Sequence, residues 1–252
     1  MIGPFYCWYK KVEPGPVKLA HELLHEIIEE EGPFDGVIAF SQGASLAMSM
    51  LMDQELNNSG SRPIFTFAAL FSCPIVLSPD TKLNRERLRE ATVNKGDLDE
   101  LERSTETTKE APKYRFSLLL KENQRALANE YRGILDDAKQ AASEIGVFDS
   151  DEDSVSESAG SDSDEELSHI PRLLHPLTVT ARVSVPTVHL YDPKDAYHKQ
   201  HELATRLCDK FLMQEVKHDG GHGLPMDPKQ VKACAAAIVK AAEKGRQRIN
   251  MF

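Results

Sequence analysis

The stretch Phe34-Asp35-Gly36-Val37-Ile38-Ala39-Phe40 is apolar enough to be a buried parallel strand, and it stops abruptly at Ser41-Gln42-Gly43. Helical spacing takes over at once, from Gly43 to about Leu56, opening on the small residues Gly43, Ala44 and Ala47. A serine at such a junction, with small residues two before (Ala39) and two after (Gly43), fits a nucleophile elbow. The tight turn lifts the hydroxyl clear of the sheet. The following backbone N–H, that of Gln42, faces the position where an oxyanion would develop, and the helix N-terminus adds a favourable dipole. The pattern usually has Gly at its first small position, so Ala39 is a permissive departure. The bland alternative is a serine that only caps a helix.

The rest of the chain alternates in the same way. Pro16 stands where a first helical residue belongs, and Val17, Ala20, Leu24, Ile27 and Ile28 recur at helical spacing to about Glu31, where Gly32-Pro33 stops the run. Further strands are expected at 64–71, 185–191 and 213–217, with helices at about 198–211 and 227–244. Strands alternating with helices predict an α/β fold with a parallel sheet flanked by helices. A nucleophilic serine needs a base, and the base an orienting carboxylate, in the chain order Ser, acid, His for this kind of elbow. Asp195 follows the strand at 185–191, and His222 lies in the Gly220-Gly221-His222-Gly223 loop after the strand at 213–217. Both fall at carboxyl ends of strands, where open α/β sheets place their sites. Asp192 is the second candidate acid and His218 the second candidate base.

Charge locates an insertion. The chain carries 30 Lys+Arg against 40 Asp+Glu, a net charge of −10. Nine of those carboxylates lie between Asp149 and Glu166 with no basic residue among them, so the remainder is nearly neutral. Without a basic excess, general binding to nucleic acid is disfavoured. The Ser/Asp/Glu tract offers too little apolar surface to offset chain entropy, so disorder is expected over 146–169. Ser150, Ser154, Ser161 and Ser163 each precede an acidic residue by three positions, a pattern that suits phosphorylation by acid-directed kinases. The charged, amphipathic segment 81–145 is expected to be a helical lid. Since Ser41 lies upstream of the insert and Asp195 and His222 downstream, residues 1–252 are expected to form one domain.

No apolar run approaches the roughly 20 residues that span a bilayer, and no signal peptide is visible at Met1-Ile2-Gly3-Pro4. Four scattered cysteines (Cys7, Cys73, Cys208, Cys234) suit reduced thiols of a cytoplasmic protein. His21-Glu22-Leu23-Leu24-His25 matches the zinc pattern H-E-x-x-H, but a third ligand such as Glu29 would sit on the same helix, so an ordinary amphipathic helix is the expectation, with no metal or organic cofactor. The aromatics Phe5, Tyr6, Trp8 and Tyr9 are candidates for lining an apolar substrate pocket.

These motifs together resemble the FSH family of fungal-type serine hydrolases, which are small α/β-hydrolases. The resemblance rests on Gly32 through Ala44 around Ser41, on Pro186-Thr187-Val188-His189-Leu190 followed by Asp195, on His218 through Pro225, and on Gly3-Pro4-Phe5-Tyr6 with Trp8. It implies a catalytic triad of Ser41, Asp195 and His222, an oxyanion donor at Gln42, and hydrolysis of carboxylic esters or thioesters, including acyl groups carried on a protein in polyketide synthesis. It also implies a first strand and a His-Gly-rich loop ahead of the serine strand, neither of which can be placed within residues 1–40. The sequence therefore reads as an N-terminally truncated member. The alternative is a catalytically impaired, hydrolase-like interaction module.

Overall fold

A computed structural model describes residues 7–84, 171–176 and 178–249. The acidic tract, all but the first residues of the expected lid, and Phe5 and Tyr6 lie outside the described residues.

Among the described residues four strands form one parallel sheet in the order β1 (Gly36–Phe40), β2 (Phe67–Phe71), β3 (Thr187–Tyr191) and β4 (Met213–Lys217). Spatial order equals chain order because each crossover returns the chain beside the strand it left. β2 and β3 are buried along their whole length, as strands covered on both faces must be, whereas β1 and β4 are only partly covered. β1 is an edge of the sheet among the described residues, and Ile38 and Phe40 stay exposed on it.

The two-residue period of the strands sorts the core into two layers. Ala68 and Leu70 face α2 (Gln42–Asn57) with Met48, Leu51 and Met52. Phe67, Ala69 and Phe71 face α4 (Pro228–Ile249), whose small residues Cys234, Ala237, Ala241 and Ala242 let it lie close to the sheet. The approach is tightest at Gly245, where a Cβ would stand 2.4 Å from the Thr66 carbonyl oxygen. α1 (Pro14–Glu31) packs behind α2, which explains why α2 is buried around its circumference from Ala44 to Met52. The expected helix at 198–211 is shorter: α3 spans His198–Thr205. Its continuation turns because Val183 exchanges backbone bonds with Leu207 and Asp209, which holds that segment against the sheet.

His21 of the H-E-x-x-H motif points inward, its Nε2 bonded to the Ser49 hydroxyl at 2.7 Å, while His25 is exposed. The two imidazoles therefore do not converge, and this motif is an amphipathic helix face.

Candidate active site

The register aligns the carboxyl ends of the strands, so that Ser41, Ser72, Asp192 and His218 each stand one residue past a strand end, along one edge of the sheet. Ser41 has φ 51° and ψ −125°, a backbone conformation that costs a non-glycine residue about 1–3 kcal/mol. The turn is fixed by the Ser41 N–H, which donates to the Phe71 carbonyl at 2.9 Å, and by Ala44 and Ser45, which donate to the Ser41 carbonyl. The hydroxyl makes no capping bond to α2. It is instead 2.9 Å from Nε2 of His222, 181 positions along the chain.

The other ring nitrogen of His222, Nδ1, lies 2.9 Å from Oδ2 of Asp195. Asp195 is 3% exposed. Its Oδ1 accepts the Tyr197 N–H at 2.9 Å. Burial works to raise this carboxyl, but the bonds from His222 and the Tyr197 N–H outweigh it and hold the group below its ordinary range, so it stays ionised. The imidazole is flanked by the rings of Tyr197 and Phe40, at centroid distances of 4.8 and 5.4 Å. A carboxylate, an imidazole and a hydroxyl in that sequence can shuttle a proton off the hydroxyl oxygen.

Gln42 occupies the first helical position, so its backbone N–H is free of α2's own ladder and lies next to the serine. Its side chain has a second task that the sequence did not signal: Oε1 accepts the Trp8 N–H at 2.7 Å and Nε2 donates to the Tyr9 carbonyl at 2.8 Å. That pair pins the aromatic segment beside the elbow. Trp8 lines an apolar groove of about 400 Å³ together with Ile28, Phe34, Ile38, Phe40 and Phe65, beside β1, an edge strand among the described residues. Phe40 lines this groove and also stands against the His222 ring, so one residue borders both the groove and the histidine.

The second candidates, Asp192 and His218, do not join that chain of contacts. Asp192 accepts backbone N–H groups from Lys194 and Gly221, which keep its carboxylate below its ordinary range. His218 accepts the Gly220 N–H at Nδ1. Among the described residues no helix is long and apolar enough to cross a membrane.

The profile of the serine hydrolase (FSH1) family matches residues 2–234. "Esterase alnB" of Emericella nidulans is 29% identical over 248 residues, covering 98% of this chain and 80% of the relative. "Serine hydrolase cnsH" of Penicillium expansum is 25% identical over 238 residues, covering 94% of this chain and 89% of the relative. "Hydrolase phiM" of a fungal species is 40% identical over a shorter stretch of 47 residues, 19% of this chain and 23% of the relative.

Proposed function

The chain belongs to the serine hydrolase (FSH1) family, and for this member we propose that Ser41, His222 and Asp195 form the catalytic triad of an esterase whose acyl group lies in the groove along β1. One observation carries the reading. Three residue types with complementary acid–base roles, from three separate segments, meet in a continuous chain of two 2.9 Å contacts. A serine whose backbone is strained and whose hydroxyl makes no cap to its own helix costs the fold stability, and this supports a function for the strain.

In the reaction Ser41 Oγ attacks the acyl carbon of an ester or thioester as its proton passes to His222 Nε2. The carbonyl π electrons move onto oxygen, and the resulting oxyanion faces the Gln42 N–H. Collapse expels the alcohol or thiol, which takes the proton from His222, and leaves an acyl group on Ser41. Water then attacks the acyl-enzyme, giving its proton to His222. Collapse of this second oxyanion returns the proton to Ser41 Oγ and releases the carboxylic acid. Asp195 fixes the ring orientation and stabilises the imidazolium through Nδ1. The apolar walls at Phe34, Ile38 and Phe40 suit an aliphatic or polyketide acyl chain, and thioesters, including carrier-linked ones, fall within the same chemistry. The name of the relative alnB supports oxygen esters as the first class to assay. The two halves of one site, drawn from either side of the acidic tract, support a single domain over residues 1–252, and the free thiols Cys7, Cys73, Cys208 and Cys234 support a reducing compartment such as the cytoplasm.

Labelling with a fluorophosphonate tests this reading. The purified chain gains one adduct by intact mass, and Ser41→Ala gains none. Well-folded protein that takes no label would favour an interaction module instead, a reading that the free edge of β1 among the described residues supports.

A further inference from the structure

The loop that carries His222 and the loop that carries Asp195 are joined by a carboxylate outside the triad. Asp192 immediately follows β3 and is 4% exposed. Its two oxygens serve different loops. Oδ1 accepts the Lys194 N–H at 2.8 Å, on the way to Asp195, and Oδ2 accepts the Gly221 N–H at 2.8 Å, next to His222. Its carbonyl accepts the Asp195 N–H at 2.9 Å.

A second anchor holds the preceding peptide. His218 immediately follows β4 and is 5% exposed, and its N–H donates to the Tyr191 carbonyl at 3.0 Å, which ties it to β3. Nδ1 of its ring accepts the Gly220 N–H at 3.1 Å. A nitrogen that accepts carries no proton, so this imidazole is neutral with its hydrogen on Nε2. The loop between needs such anchors. Gly220 is packed so closely that a Cβ would meet the Leu224 carbonyl at 2.7 Å, and Gly221 sits at φ +61°. Two successive glycines leave the backbone free to take many other shapes.

We propose that Asp192 and His218 are positioning residues, which grip the two peptide N–H groups just before His222 and so fix its imidazole at bonding distance from Ser41 and Asp195 together. The proposal rests on the triad reading above. Misplacing a reacting group by about 1 Å costs on the order of 100-fold in rate, so loss of either grip lowers turnover without touching substrate.

Three variants of the full chain test it, beside Ser41→Ala as the control for labelling, with p-nitrophenyl acetate as substrate and active sites counted by fluorophosphonate labelling. Asp192→Asn keeps the shape but offers one acceptor where two N–H groups need one. His218→Leu offers none. His218→Asn presents Oδ1 where Nδ1 stood. Expected are a drop in kcat per labelled site of about 10- to 100-fold for Asp192→Asn and His218→Leu, with KM within about twofold, and a His218→Asn value within about threefold of the parent. Thermal melts report folding separately. Equal losses in His218→Asn and His218→Leu would overturn the proposal, as would normal kcat per site in Asp192→Asn and His218→Leu with only a lowered Tm. If Ser41→Ala still takes the label, the triad reading itself fails, which is a different outcome from either.

Discussion

Acid should unfold this protein through histidines that take no part in turnover. Burial holds His21 down at about 4 against its ordinary 6.5, with the nearby charge of His25 acting in the same direction. Burial also pushes His201 down to about 4, only partly offset by the charge of Asp195, while the Cys73 N–H that its ring accepts holds the unprotonated form. Between these values the unfolded chain binds a proton on each ring that the native protein refuses. Stability is therefore complete above about pH 6.5 and is lost as pH falls towards 4. Linkage gives about 2.5 kcal/mol per ring between about pH 7.5 and 4.5, so the two rings together remove about 5 kcal/mol, a large part of the 5–15 kcal/mol that holds a typical domain. His21→Gln isolates one ring. The amide can still bond to the Ser49 hydroxyl but cannot be protonated. Urea unfolding at both pH values should show the parent losing about 2.5 kcal/mol more than His21→Gln. Equal pH dependence in the two proteins would refute the argument.

Two further outcomes follow from packing. Gly245→Ala gains up to about 1 kcal/mol of helix propensity. It also places a methyl 2.4 Å from the Thr66 carbonyl, and overpacking of about 1–3 kcal/mol should dominate, so Tm falls; a rise would mean that α4 can withdraw from the sheet freely. Ile38→Asp puts a charge on the wall of the β1 groove, where the side chain is 62% exposed, so folding should be spared. Activity on p-nitrophenyl octanoate should drop about tenfold, a loss of about 1.4 kcal/mol, with p-nitrophenyl acetate little changed. Equal effects on both esters would remove the acyl chain from the groove.

Much of this arrangement could be read from the residues. The apolar run ending at Ser41 announced a strand and an elbow, although β1 is only partly covered, with Ile38 and Phe40 exposed, and not buried on both faces as its composition suggested. The positions of Asp195 and His222 followed from strand ends, which apolar runs mark well. Less legible were contacts made by backbone. Nothing in the composition of Gln42 says that its amide clamps Trp8 and Tyr9, since a peptide N–H has no letter in the sequence. The same holds for Asp192 and His218, which look like rival catalytic groups by residue type and differ only in what they face. The helix at 198 was expected but its end was placed too far along, because the long-range pairing of Val183 with the 207–209 segment overrides local helical spacing.

Trapping the acyl-enzyme tests the central claim most directly. Acid-quenching the protein within milliseconds of mixing with a p-nitrophenyl ester, then mapping peptides by mass, should place the acyl group on Ser41, with no adduct in Ser41→Ala or His222→Ala. An acyl group mapped to another residue, or ester turnover that persists undiminished in Ser41→Ala, would contradict the account.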